Sequence, residues 1–349
     1  MNRFWRHGLS KGTRKAYGRG VRRFSRWCSL RGIKGDSVAA KPKEIDLIFY
    51  VVHEARRGMS PGTIKSNLSA IVSSSVAHGF ANPVRDKNLC PRPALRRVVR
   101  GISRLNSKAR KTRKPLTTDK LAAVIKVARG VTGSAYNCAC FKAALSVGVY
   151  LLLRVGELVS PKTTGHNPAK GLNVEDIKFL PSFEKPDRME VKIKNSKGDP
   201  FRNGQVLVAC ANGSPTCPVA LMKRWLEARG RKDKKGAVFK LSSGKLLTRD
   251  TLQKWLRAGL DAAGYKGGEH SCHSLRAGGA ESLAAAGFDS SLIQVMGRWA
   301  SDAFLLYLKV GNKVRQEASL AMSKLQRQDV ETMNRRGRDV RELDSNSGF

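Results

Sequence analysis

Acidic side chains are scarce in this chain. Its 349 residues hold 27 Asp and Glu against 66 Lys and Arg, a formal net charge of +39 at pH 7. That scarcity argues against chemistry built on two metal ions held by clustered carboxylates. The seven cysteines, Cys28, Cys90, Cys138, Cys140, Cys210, Cys217 and Cys272, form no CxxC pair, and no histidine cluster sits beside them. A zinc site is therefore not expected, and reduced structural thiols fit a reducing compartment. No uncharged apolar run reaches the roughly 18 residues of a membrane span. The most apolar stretch, CFKAALSVGVYLLLRVGELVS, is interrupted by Lys142, Arg154 and Glu157, so it reads as a buried helix. The first residues, MNRFWRHGLSKGTRK, lack the apolar core of a secretory signal, and the expectation is a nuclear or cytoplasmic protein.

What is present in excess is positive charge. Such an imbalance repels itself unless a polyanion neutralises it. Nucleic acid, held through its phosphates with release of counterions, is the partner that fits best. The competing reading is a basic surface serving solubility. Membrane-surface binding fits less well, because the charge is not confined to one amphipathic helix. The excess is densest early, with 28 Lys and Arg against 5 Asp and Glu in residues 1–114.

Apolar periodicity divides the chain. Residues 10–30 place Tyr17, Val21, Phe24 and Cys28 at helical spacing with arginines opposite. Ile45, Ile48, Val52 and Ala55 mark a second helix. Ser60-Pro61 is a cap followed by a first-turn proline, leading into Ile64, Leu68, Ile71 and Val72. Leu95, Val98, Val99, Ile102 and Leu105 mark a fourth. Residues 1–105 thus read as an all-helical basic domain, and 106–116 (NSKARKTRKPL) as a charged linker ending at proline. The same basic run could serve as a nuclear localisation patch. Residues 117–326 read as a second, mostly helical domain with one strand pair, 189–194 and 205–209, around a turn-rich NSKGDPFRNG. Residues 327–349 form a polar tail.

Several residues in the second domain could do chemistry, and each has a plain structural reading. Arg154 and Glu157, three apart, suit an ion pair on one helical face. His273 and Arg276 in HSLRAGGA project from one face, and the Gly278-Gly279 pair implies close packing there. Lys197 sits in the hairpin turn, with Lys194 as a nearby alternative. Tyr307 lies among apolar residues in SDAFLLYLKV and suits a packed aromatic.

Their order is more informative than any one of them. Arg154, a hairpin lysine, His273-x-x-Arg276, Trp299 and Tyr307 run in the order of the catalytic set of the tyrosine recombinase, or phage integrase, family, which the chain resembles over nearly its whole length. HSLRAGGA is similar to that family's second box and GRWASDAFLLYLK to its third. The wording of the third box is most like recombinases of eukaryotic DIRS and Crypton mobile elements. Trp299 stands where most members carry histidine, and an indole N–H can still donate a hydrogen bond.

The resemblance implies a mainly α, two-domain clamp: a helical core-binding domain and a mixed α/β catalytic domain with a small antiparallel sheet. It implies a site-specific recombinase acting on double-stranded DNA as a tetramer, without metal, ATP or other cofactor. Tyr307 would be the nucleophile, Arg154 and Arg276 the phosphate clamp, and Lys197 or Lys194 the general acid. His273 would assist the tyrosine or hold phosphate, Trp299 would pack on the phosphate and hydrogen-bond it, and Glu157 would orient Arg154 or a neighbour. An amphipathic segment after Tyr307, with Val314, Ala318, Ala321, Met322 and Leu325, is expected to dock on a neighbouring protomer, with packing within its own chain as the alternative. A silent DNA-binding descendant and a type IB topoisomerase-like activity remain the alternatives.

Overall fold

A computed structural model describes residues 8–33, 41–106, 113–169, 171–196, 199, 203–230, 236–299, 301 and 305. The chain divides into two compact units, Met1–Lys111 and Thr112–Phe349. Among the described residues, no helix is long and apolar enough to cross a membrane. Nor do any three of their His, Cys, Asp and Glu residues form a group that could hold a metal ion.

The first unit is helical: α1 (Lys11–Leu30), α2 (Glu44–Arg56), α3 (Pro61–Ala77) and α4 (Pro93–Leu105). Ser10 and Ser60 start α1 and α3 by accepting the N–H groups of Thr13 and Thr63 at 3.1 and 3.2 Å, which satisfies donors the helix leaves open. Three aromatics form the centre of the core. Phe24, Trp27 and Tyr50 lie with ring centroids 5.0–5.9 Å apart, each such pair adding about 1 kcal/mol beyond its buried area. Asn67 donates to the Tyr50 hydroxyl at 3.1 Å. Gly20 lets α1 approach α3, since a Cβ there would stand 2.8 Å from that of Ala70.

The buried stripe of α2 differs from the expectation. Leu47, Tyr50, Val51 and Glu54 face inward, and Ile45 is half exposed. The aromatic cluster takes Tyr50, which fixes the rotation of the helix. Glu54 is buried with Arg23 and Arg57 at 3.3 and 3.6 Å, so a charged position joined the inward face that apolar periodicity alone leaves out.

The second unit runs α5 (Thr118–Thr132), α6 (Ala135–Tyr150), a short α7 (Val155–Leu158), β1 (Ile177–Leu180), β2 (Arg188–Ile193), β3 (Gln205–Cys210), α8 (Pro218–Arg229), α9 (Arg249–Ala262), α10 (His273–Ala285) and α11 (Ser290–Gly297). Helix α6 is buried along nearly its whole length from Cys138 to Val149, as an apolar sequence on every face requires. The antiparallel sheet has the order β1-β2-β3. Met189, Val191 and Ile193 of β2 point into the core, and Met189 pairs with Phe179 and Ala209. The strand pair foreseen from sequence is β2–β3. Strand β1, only four residues long, was not foreseen, because IKFL is too short to show an alternating pattern.

Two boundaries also differ. Residues 106–116 read as linker, yet Arg113 donates to the Gly268 carbonyl, Lys114 N–H donates to Glu269 O at 2.9 Å, and Leu116 N–H donates to Ser274 O at 2.9 Å. Leu116 is fully buried in the second unit's core. The apolar run 140–160 reads in sequence as one helix carrying Arg154. Helix α6 ends at Tyr150 instead, because Leu152 adopts φ 47° and its side chain packs with Ala280 and Ile293. Tertiary packing holds a leucine in the left-handed region that glycine usually fills.

Candidate active site

The break after α6 builds the site. Arg154 lies just before α7, and its own N–H donates to Glu157 Oε2 at 2.9 Å. The Arg154 guanidinium donates to Glu157 Oε1 at 3.0 Å through Nη1. Glu157 therefore both starts the short helix and holds the arginine that precedes it. Ser196, at the end of the β2 hairpin arm, donates to Glu157 Oε1 at 2.8 Å and accepts from Arg154 Nη1 at 2.6 Å. The carboxylate is nearly inaccessible, with 3 % of the side chain exposed, while Arg154 keeps 26 %. The arginine is the member of the pair that meets solvent.

Helix α10 supplies the second arginine. His273 opens the helix at the surface and Arg276, one turn on, is almost fully buried. Arg276 Nη1 donates to the Leu152 carbonyl at 2.9 Å, and Nη2 to the Gly297 carbonyl. The Gly278-Gly279 pair serves the close approach that its sequence suggests: a Cβ on Gly278 would collide with the Leu116 backbone, and one on Gly279 with the Val149 carbonyl.

The turn that ends α11 connects the two arginines. The Gly297 carbonyl takes a hydrogen bond from Arg276 and the next carbonyl, that of Arg298, takes one from Arg154 Nη2 at 3.2 Å. Consecutive peptides of one turn thus tether both guanidinium groups. Trp299 follows, and the Arg276 guanidinium lies 4.1 Å from its ring centroid, within the range of a strong cation–π contact. Gly297 lacks a Cβ because the Trp299 ring occupies that space.

The imidazole of His273 has its pKa held below the ordinary histidine value. Loss of hydration among its neighbours is the larger cause, and the charges of Arg276, Arg249 and Arg154 add to it. A neutral imidazole ringed by cations is suited to accepting a proton or a hydrogen bond from an acidic group.

Lys194, the alternative acid, makes an ion pair with the buried carboxylate of Asp176 at 2.9 Å. Lys197 and Tyr307 lie outside the described residues, as does the amphipathic segment 310–326. The structure thus gathers Arg154, Glu157, His273, Arg276 and Trp299 into one cluster. Three members had not been singled out from sequence. Ser196 and Arg249 carry no distinguishing local pattern. Arg298 does carry one: an arginine between glycine and tryptophan at the end of an otherwise apolar helix.

No protein-family model matches the chain, and no curated protein matches it in sequence. Solved structures do match in shape. One is a XerH site-specific recombinase bound to a palindromic difH substrate after cleavage, at 19 % identity over 89 % of this chain and 79 % of that one, with a TM-score of 0.60. The pre-cleavage XerH complex with difH aligns at 17 % identity over 87 % and 78 %, TM-score 0.58. A lambda integrase dimer bound to a COC′ core site aligns at 14 % identity over 88 % and 75 %, TM-score 0.53. The chain has the tyrosine recombinase fold. Its mostly helical body and three-stranded antiparallel sheet are those of that catalytic fold. In this recombinase fold the two arginines, the histidine and the tryptophan converge from α7, α10 and the turn after α11.

Proposed function

We propose that the chain is a site-specific DNA strand transferase, cutting and rejoining double-stranded DNA through a 3′-phosphotyrosyl intermediate. The observation that carries this reading is the tethering of Arg154 and Arg276 to adjacent carbonyls beside His273 and Trp299. Two guanidinium groups preorganised in this way suit the two non-bridging oxygens of one phosphodiester. In the reaction Tyr307 Oη forms a bond to phosphorus while the bond from phosphorus to the 5′-oxygen breaks. His273 receives the phenolic proton or holds the phosphate, and Lys197 delivers a proton to the departing 5′-oxygen. The ester bond to tyrosine keeps the free energy of the cleaved one, so a 5′-hydroxyl can reverse the step without ATP. The residues named complete this chemistry without a metal.

The +39 charge supports a DNA partner. Within the first unit, a groove of about 910 Å³ carries Lys65, Arg85, Arg92, Arg96 and Arg100 on its walls, in keeping with contact to a phosphate backbone. Exchange between two duplexes requires four cuts, so the active assembly in this reading is a tetramer. A mobile element is the setting that suits such an activity, in the nucleus of a eukaryotic host or the cytoplasm of a prokaryotic one.

The test uses nicked suicide duplexes tiling the DNA on either side of the gene. A covalent protein–DNA adduct that forms with the wild type and is lost in Tyr307→Phe supports the reading. Specific binding with no adduct on any duplex would instead mark a silent DNA-binding protein. Relaxation of supercoiled plasmid without a preferred site would mark a topoisomerase.

A further inference from the structure

Arg298 has no part in the mechanism above, yet it occupies the centre of the site. It adopts left-handed backbone, φ 57° and ψ 47°, a conformation that costs an L-residue about 1–2 kcal/mol. Its guanidinium is buried, with 8 % of the side chain exposed, and Nη2 lies 2.8 Å from Glu157 Oε2. Glu157 Oε1 already binds Arg154. Two arginines therefore share one carboxylate in a poorly hydrated place, an arrangement that packing alone does not favour. The other contacts of the Arg298 side chain do not account for it. They reach the Leu151 and Leu152 carbonyls at 3.5 and 3.4 Å, and Nε has no partner.

Charge balance gives the arrangement a purpose. A phosphodiester carries one negative charge and gains a second as the phosphorane forms. Alone with Arg154, Glu157 would cancel that arginine's charge and draw it inward. With Arg298 on the far oxygen of the carboxylate, two arginines share one negative charge, and one positive charge of the trio stays in excess at Arg154, the member that meets solvent.

We propose that Arg298 is a positioning residue that engages Glu157 so that the charge of Arg154 stays available to the reacting phosphate. The proposal rests on the strand-transferase reading. Its test uses the suicide duplex that the wild type cleaves best, in two forms: with an ordinary scissile phosphate, and with a methylphosphonate, which carries no charge. The expected result for Arg298→Met is unchanged DNA affinity and adduct formation slowed about tenfold or more on the phosphate. On the methylphosphonate the slowing should be less than about threefold, since one negative charge fewer develops. Arg298→Lys should recover most of the rate on the phosphate.

Equal slowing on both substrates, or a lysine variant no better than the methionine one, would overturn the proposal. Should Arg298→Met not fold, the double variant Glu157→Gln with Arg298→Met takes its place, because it removes one positive and one negative buried charge together and leaves the net charge beside Arg154 unchanged. That variant should keep the wild-type ratio of rates on the two substrates, and a changed ratio also overturns the proposal. Absence of any adduct with the wild type is a different outcome, one that sinks the strand-transferase reading itself.

Discussion

The guanidinium of Arg276 lies 4.1 Å from the centroid of the Trp299 ring, with its Nη2 donating to the Gly297 carbonyl two residues earlier. Ring and carbonyl together leave the arginine little freedom. A desolvated cation–π contact of this kind contributes about 2 kcal/mol. Trp299→Leu should lower adduct formation about tenfold or more, while Trp299→Phe, which keeps a ring face, should lose less. Equal losses in the two variants would show that the ring face is not what positions Arg276.

His273 should set the acid limb of the pH–rate profile. Its pKa lies below the ordinary value of 6.5, chiefly through loss of hydration and then through Arg276. The neutral imidazole therefore persists at pH values where a free histidine would be charged, and the rate should hold as pH falls through 6.5 before declining. His273→Gln should be slow throughout and lack that limb. A midpoint at or above 6.5 in the wild type would contradict this assignment.

Glycine substitutions should separate close packing from open helix. Gly278→Ala drives a methyl into the Leu116 backbone and should destabilise the second unit by about 3 kcal/mol or more. Gly130→Ala, in α5 with nothing within 4 Å of the new Cβ, should stabilise by about 0.5–1 kcal/mol. Urea unfolding of the two variants measures both.

His270 should make the second unit acid-sensitive. The residue is buried, Nδ1 sits 3.2 Å from the Lys266 carbonyl, and Nε2 has no partner. Burial is the main reason its pKa is lowered from 6.5. Below pH 6.5 the unfolded chain binds a proton that the native one resists, so stability should fall as pH drops from 6.5 towards the lower native value, and be full above it. The slope contributed by one such proton is at most about 1.4 kcal/mol per pH unit. His270→Phe should flatten the dependence between pH 7 and 5, as read by thermal unfolding at several pH values.

Much of this protein was legible in one dimension. Apolar spacing located α1, α3, α4, α5 and α8 to α11 to within a few residues, because each must turn an apolar stripe to a core. Motif order brought out Arg154, Glu157, His273, Arg276 and Trp299, since local boxes survive as strings. Charge alone pointed to a polyanion. Other features depended on the folded chain. The inward face of α2 was settled by the aromatic pocket and a buried Glu54, neither of which periodicity weighs. The end of α6 was settled by the packing of Leu152 against Ala280 and Ile293. Strand β1 exists through its pairing with β2 and is too short to declare itself. Arg298 is the clearest case. In sequence it is one arginine among many, and its meaning comes from a carboxylate 141 residues away in the chain. A string records which groups are available, and only the folded chain decides which of them share a charge.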